Sequence, residues 1–591
     1  MKWKSVWAID FEFATKPGEN PTPLCVVAHD IVSGHHTRHW IDPSNPGPCP
    51  YPTGAEDLVI AYAVGAEMSC HLVLGWQVPE RLIDLYVEFR RHTNGKFLPH
   101  GAGQLGAMLF FGLNPGIAKE EKQAMQQLAA GGGPFTEEQK RELTDYCALD
   151  VDCLVRLWHT MKDGIDTPRA LIRGQFAAAM AEIEHRGIPI DAALWRKTVQ
   201  RLPEIKPRLV ADLDADYGVF EGTRFVEAKF AALIERKGIR GWPRTATGRF
   251  SHDAETMKAM SQAHPEFQTL RELLRSVSEM RLGDLEVGSD GRNRTAQRPF
   301  ATKTARNAPS TTKHIMGPSV WIRAFITPAP GTALIALDYS QQEFGIGAAL
   351  SKDRNMMAAY EASDPYIEFA ILAGAAPNGA TKETHPAERA RFKQTVLATQ
   401  YGAGPQLVAD RVGLPKIYGK DLLDAHRNVF PRFWRWVADC STTARALRRA
   451  TSTFGWQMWV TPETKERTIQ NFACQCNGAE MLRLVVLAMR GRPYHIVSTI
   501  HDAVLIEAKA DDADKVAEEA AAIMQEASRV VLNGFTIRTE AKIIRFGQRY
   551  EDERGLKMWR KVFELVGADM DHSDTPTCIK AIHPSPSLYI L

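Results

Sequence analysis

The chain is 591 residues long, which at roughly 100–200 residues per domain is several domains' worth and excludes a single small module. Hydrophobic residues at 44% and charged residues at 24% exclude a disordered or fibrous chain. Lys+Arg 72 against Asp+Glu 70 gives a formal net charge of +2, so overall charge announces no polyanion partner and only its local distribution can.

The start, Met1-Lys-Trp-Lys-Ser-Val-Trp7, runs into Asp10 without the apolar segment and small-residue cleavage site of a secretory signal, and no apolar run reaches about 18 residues. The expected compartment is the cytoplasm, with no membrane span. Nine cysteines contain no Cys-x-x-Cys pair, so buried free thiols are expected rather than zinc ribbons or disulfides.

Residues 5–14, Ser-Val-Trp-Ala-Ile-Asp-Phe-Glu-Phe-Ala, predict a strand that brings Asp10 and Glu12, two apart, to one face. The β-branched stretch from Cys25 predicts its neighbour. Gly131-Gly-Gly-Pro134 lacks the Gly-Lys-[Ser/Thr] of a phosphate loop and reads as a connection. Thr136-Glu-Glu-Gln then predicts the start of a helix carrying Tyr146 and Asp150. From about 165 to 285 the pattern is helical and amphipathic, including a helix over Phe267–Met280, and reads as scaffold and arm. Between Asp290 and Asp338 no acidic residue occurs, while Arg292, Arg294, Arg298, Lys303, Arg306, Lys313 and Arg323 supply seven positive charges. That run is the strongest polyanion signal in the chain, against a solvated basic loop as the alternative.

Gly331-Thr-Ala-Leu-Ile-Ala-Leu-Asp338 predicts a strand delivering Asp338 to a sheet edge. Pro386 at a first turn predicts one long helix over residues 386–401. Tyr494 to Glu507 predicts two strands meeting at a His501-Asp502 turn. The last forty or so residues read as an appended tail.

On the 386–401 helix, Arg389, Lys393, Leu397 and Tyr401 recur at steps of four, each advancing only about 40°, so they share one stripe. Two cations, an apolar residue and an aromatic are poor core material; they suit a triphosphate gripped by the cations with a base and sugar stacked beyond. An exposed amphipathic helix is the alternative. Together with Asp338-Tyr-Ser-Gln-Gln-Glu343 before it and His501-Asp502 after it, this stripe resembles, in order, the three polymerase motifs of family A DNA polymerases over about 170–550.

The resemblance implies two-metal phosphoryl transfer, with Asp338 and Asp502, 502 − 338 = 164 residues apart, holding Mg2+ ions about 3.5–4 Å from one another; Mn2+ can substitute. It further implies that Arg389 and Lys393 grip the incoming deoxynucleoside triphosphate beside Gln341 and Leu397, that Lys393 protonates pyrophosphate, and that Tyr401 stacks at the templating position. By the same resemblance, Glu343 is expected to obstruct the ribose 2′-hydroxyl. The resemblance places Arg306, Arg467, Asn471, Gln475 and His501 in contact with primer-template DNA. Two departures stand out: Leu397 replaces the family's usual aromatic, and Ala503 stands where a glutamate is usual, so a third acid near the metals is missing.

Near the start, Asp10-x-Glu12 and Tyr146-x3-Asp150 resemble the first and third motifs of DEDDy 3′–5′ exonucleases. A tyrosine one turn before an aspartate can orient the attacking water while Asp10, Glu12 and Asp150 hold metal. The middle motif is divergent: Glu67 is the candidate for the remaining metal ligand, while Asp84 better suits a capping role.

The expected fold class is therefore a multi-domain α/β chain. An RNase H-like exonuclease domain over 1–165 precedes a right-hand polymerase over 166–550, with thumb about 190–290, palm about 300–350 and 461–550, fingers about 351–460, and a C-terminal extension over 551–591. No 5′-nuclease region is expected, and the form suggests a monomeric phage replicase acting in the host cytoplasm, possible accessory replication proteins aside. A single-subunit RNA polymerase-like enzyme and a catalytically silent DNA-binding replication subunit are the alternatives.

Overall fold

The structure, a computed structural model, describes residues 3–239, 241–245, 247–279, 282–362, 364–567 and 579–582. Its first sheet comprises β1 (Val6–Ala14), β2 (Thr22–Asp30), β3 (His36–Trp40), β4 (Leu58–Ala61) and β5 (Leu82–Asp84), in the order β3-β2-β1-β4-β5. β1 pairs antiparallel with β2 and parallel with β4, and β5 extends the parallel side. As the central strand, β1 is covered on both faces, which is why it reads as a nearly continuous apolar run. Trp7, Ile9 and Phe11 pack toward helices α1 (Val64–Leu74) and, further along the chain, α5 (Thr167–Arg186). Val6 and Ala8 pack toward the Cys147–Leu157 part of α4 (Glu137–Met161).

Between α1 and α4 lie α2 (Leu85–Thr93) and α3 (Lys119–Ala130). The predicted start of α4 is realised as a capping box, Thr136 accepting from the Gln139 backbone N–H while the Gln139 side chain accepts from the Thr136 N–H. α5 reaches the sheet closely through small residues: a Cβ on Gly174 would lie 2.0 Å from the Leu82 carbonyl oxygen. One residue earlier, Arg173 donates to both carboxylate oxygens of the buried Glu88, at 2.6 and 3.0 Å, tying α5 to α2.

α5 continues past the first sheet, and its Met180 and Ile183 enter the main core of the larger unit. After it, α6 (Ala192–Asp214) leads into an arm with its own small core around Phe230, Trp242, Phe267 and Leu270. The helix expected over Phe267–Met280 is a short 3-10 turn followed by a helix at Gln268–Glu279; Met280 lies outside the described residues.

The second sheet contains β6 (Thr332–Tyr339), β7 (His495–Ile500), β8 (Ala503–Lys509), β9 (Thr539–Arg545) and β10 (Ile579–Ile582), ordered β7-β8-β6-β9-β10 and antiparallel throughout. Between β6 and β7 the chain forms α7 (Gln342–Ser351), α8 (Pro365–Leu372), α9 (Pro386–Gln400), α10 (Pro431–Ala446) and α11 (Glu466–Met489); α12 (Ala513–Val531) follows β8. Ile335 and Leu337 of β6 face α11 and α12, whereas Leu334, Leu505 and Ile544 face the opposite layer.

One expectation is corrected here: the described residues after 551 are not an appended tail, since α13 (Glu553–Val566) inserts Trp559, Val562, Phe563 and Val566 into the core beneath the second sheet, and β10 pairs with β9. The basic run is mostly ion-paired within the chain. Arg292 pairs with Glu507 at 2.5 Å, Arg294 with Asp290 at 2.5 Å, Arg306 with Glu343 at 3.4 Å, Lys313 with Glu286 at 2.7 Å and Arg323 with Asp552 at 3.2 Å. Among the described residues, Arg298 and Lys303 alone of the seven pair with no carboxylate, and both are exposed. The acids that neutralise the others come mostly from outside the run.

Candidate active sites

The first carboxylate cluster forms where β1 meets α4. The period of two places Asp10 and Glu12 on one side of β1, and Asp150 reaches them from α4. Each of the three offers an oxygen, and these atoms lie within 4.8 Å of one another. Burial, then the charges of Asp150 and Glu12, push the Asp10 carboxyl well above the usual carboxylate range; burial and the neighbouring Cys25 thiol raise Glu12 to about 9. One oxygen of Asp10, Oδ2, is buried without a hydrogen-bond partner. An apposition of acids this unfavourable, with a buried acceptor left open, fits a divalent cation by its donor set.

Glu67 stands in the first turn of α1, buried, and lies outside the three-residue group. Its carboxyl is raised by burial and then by the charges of Asp10 and Glu12, and its Oε2 also lacks a partner. Asp84 has the capping role expected of it, accepting from the backbone N–H groups of Ala63, Val64, Tyr86 and Val87. Tyr146 lies one turn before Asp150, buried, with its hydroxyl pushed upward by burial and by Asp150.

The cluster contains one residue that sequence reasoning missed. Lys122 of α3 donates to Asp150 Oδ1 at 2.8 Å and Oδ2 at 2.6 Å, with its ammonium 5.2 Å from the Tyr146 ring centre.

The second cluster is built on the second sheet. β6 and β8 pair through Leu337 and Val504, so Asp338 and Asp502 follow and precede that pair at the same end of adjacent strands. The turn between β7 and β8 is tight, with His501 in the left-handed region at φ 56°. Although solvent reaches Asp338, the surrounding protein and then the Asp502 charge raise its carboxyl to about 7; Asp502 is raised by burial. This mutual repulsion likewise fits a cation-binding pair.

A further acid adjoins them. Glu540 of β9 is the direct cross-strand partner of Asp338, contributes to raising it, and accepts a hydrogen bond from Ser340 Oγ at 2.8 Å. Position 503 carries no glutamate, yet a third carboxylate stands beside the pair, supplied by a strand far from the motif.

α9 spans Pro386–Gln400 as expected, with Tyr401 as its C-cap. Arg389 and Lys393 lie 5.7 and 5.9 Å from the Tyr366 ring centre. Arg389 Nε donates to Asp364 Oδ2 at 2.6 Å, while Asp364 Oδ1 caps α8 through the Tyr366 and Ile367 N–H groups. Leu397 continues the stripe, half-buried. Tyr401 donates to Glu343 Oε1 at 2.8 Å, and Arg306 reaches the same oxygen at 3.4 Å. Gly402 is required: its φ is +69°, and a Cβ there would lie 3.0 Å from that of Arg467. Arg467, Asn471 and Gln475 share one face of α11, and the last two line a small open cleft with Glu343 and Gln400. Gln341, in the left-handed region at φ 48°, precedes α7, and its Oε1 accepts from Arg538 at 3.4 Å. His501 is exposed beside Asp502.

A sequence model of DNA polymerase family A matches residues 231–551. The chain is 25% identical over 426 residues to the thermostable DNA polymerase I of Thermus aquaticus, covering 67% of this chain and 50% of that protein. It is 24% identical over 409 residues to the DNA polymerase of Mycobacterium phage L5, covering 66% of this chain and 65% of that one. The chain thus spans about half the length of the bacterial relative. Its fold is similar to that of the POL domain of Pol1 from M. smegmatis, solved in complex with DNA primer-template and dNTP, with TM-score 0.69 at 17% identity over 91% of this chain and 95% of that one. No described helix is long and apolar enough to cross a membrane.

Proposed function

The chain belongs to DNA polymerase family A, and from that premise we propose that it is a template-directed DNA polymerase with a 3′–5′ proofreading exonuclease in its first unit, serving as a phage replicase. The observation that carries the polymerase reading is the convergence of Asp338 and Asp502, 164 residues apart, at one end of adjacent strands. Asp338 and Asp502 would hold divalent cations, which when bound activate the primer 3′-oxygen and neutralise charge on the phosphates. That oxygen bonds to the α-phosphorus as the bond to pyrophosphate breaks.

The chain's own residues do the rest. Asp364 orients the Arg389 guanidinium through Nε, leaving its terminal nitrogens for a phosphate, and Lys393 supplies a second cation and a proton for the leaving pyrophosphate. Glu343, fixed by Tyr401 and Arg306, blocks the ribose 2′-hydroxyl. Asn471 and Gln475, with Arg467, line the path of template and primer, and His501 meets the primer end. Mg2+ is the expected ion, with Mn2+ able to substitute.

For the exonuclease, the sheet order β3-β2-β1-β4-β5, with three antiparallel strands followed by parallel ones, supports an RNase H-like domain. Asp10, Glu12 and Asp150, with Glu67 nearby, would hold its metal, and Tyr146 would orient the attacking water. The likeness to a mycobacteriophage polymerase supports the phage role. Primer extension on a DNA template tests the polymerase reading: deoxynucleotides are incorporated by the native chain, and incorporation that survives Asp338→Ala would contradict it.

A further inference from the structure

Lys122 is the one member of the first cluster that no motif accounts for. α3 turns Lys122, Met125 and Leu128–Ala129 inward at helical spacing, while Glu120, Glu121, Gln123, Gln126 and Gln127 are exposed. Ala129 is seated against Leu24 and Leu143, so the helix is anchored at its far end. Lys122 is the one charged residue on that inward stripe, and its side chain is 16% exposed. Its ammonium engages both oxygens of Asp150 and lowers the proton affinity of Asp10 and Glu12, so its charge acts on all three carboxylates.

The distribution of partners within the cluster is unequal. Asp150 has both oxygens bonded to Lys122, whereas Asp10 Oδ2 and Glu67 Oε2 are buried and bonded to nothing described. Glu67 is itself only 3% exposed, in the first turn of α1. The open acceptors therefore gather on the β1 and α1 side, while the α4 side is already neutralised by a tethered cation.

We propose that Lys122 supplies, as a fixed ammonium at Asp150, the positive charge of one of two metal positions, so that Asp150 is released from the metal set given above and the exonuclease site takes a single divalent cation, on the Asp10 and Glu12 side. This rests on the exonuclease reading above. A lysine is a compact point charge with three donors, able to occupy such a position without dehydrating an ion. It is a charge-compensating residue of the cluster, and it accounts for four buried acids in a site whose middle motif is divergent.

The test uses the full chain carrying Asp338→Ala and Asp502→Ala, which leaves the first cluster as the designed cation site. Mn2+ is titrated with calorimetry and electron paramagnetic resonance. The expected result is one Mn2+ without Mn–Mn coupling when Lys122 is present or replaced as Lys122→Arg, and a second, coupled Mn2+ in Lys122→Met. Two coupled ions in the chain with Lys122 in place would overturn the proposal even if Lys122→Met failed to fold, as would an unchanged single ion in a folded Lys122→Met. Shortening of single-stranded DNA, measured on the otherwise native chain and on Asp10→Ala, separates the two readings. If Asp10→Ala neither stops shortening nor removes the Mn2+, the exonuclease reading fails and the proposal with it.

Discussion

The Tyr401 hydroxyl donates to Glu343 Oε1 at 2.8 Å, joining the end of the α9 stripe to the first turn of α7. Arg306 reaches the same oxygen, so one carboxylate is held from two sides. Tyr401→Phe keeps the ring and removes the donor, a loss of about 1.5–3 kcal/mol for a bond to a charged acceptor. The expected outcome is a fall of roughly tenfold or more in the preference for deoxy- over ribonucleotides, and a larger fall in Glu343→Ala. The ratio of kcat/KM for matched nucleotide pairs checks it; unchanged discrimination in both variants would remove Glu343 from sugar selection.

Asp364 orients Arg389 while capping α8. Asp364→Asn retains an oxygen that can cap and removes the charge facing the guanidinium. The expected effect is a severalfold higher KM for nucleotides with kcat much less changed, because phosphate gripping in the ground state is what weakens. Steady-state kinetics at saturating primer-template measure the split.

The paired arginines set a prediction about the basic run. Arg292→Ala strands Glu507, half-buried, and is expected to lower stability by about 1–3 kcal/mol, read as the midpoint of urea unfolding. The salt slope of DNA binding is expected to move with Arg298→Ala and Lys303→Ala rather than with Arg292→Ala or Arg294→Ala. A slope that flattens only for the paired arginines would reverse this assignment.

Glu184 carries a pH dependence away from both clusters. Burial raises its carboxyl from 4.5 to about 7, against which the Gln297 N–H it accepts acts as the smaller influence. An acid whose folded value is raised resists ionisation in the folded state. Its penalty is therefore absent below the unfolded value near 4.5, grows as pH rises toward 7, and is complete above. Glu184→Gln removes the charge and is expected to stabilise the chain at pH 8, by up to about 3 kcal/mol, with little effect at pH 4. Urea midpoints of both chains at the two pH values test it.

The elements that hold the candidate sites were legible because their signals are local. β1, β6, the His501-Asp502 turn and α9 all lie where apolar runs, Pro386 and the four-residue stripe placed them. What escaped depends on pairing across the chain. Lys122 sits in Lys-Glu-Glu-Lys, which reads as a solvated helix face until α4 brings Asp150 against it. Glu540 lies 202 residues after Asp338 (540 − 338), and only the β6–β9 register makes them neighbours. The ion pairing of the basic run is not legible locally because Glu507 and Asp552 lie far along the chain. α13 did carry a readable signal, since Gly555, Trp559, Val562, Phe563 and Val566 recur at helical spacing.

Under the proposed function, one chain runs synthesis and shortening from two separate carboxylate sites. The most direct measurement follows a labelled primer with a mismatched 3′ end on a DNA template with Mg2+, with and without deoxynucleotides, in the native chain, Asp338→Ala and Asp10→Ala. The predicted result is a crossed pattern: the native chain shortens and then extends, Asp338→Ala shortens without extending, and Asp10→Ala loses shortening while still extending a matched primer. Loss of both activities in either single variant with its fold intact, or loss of neither, would contradict it.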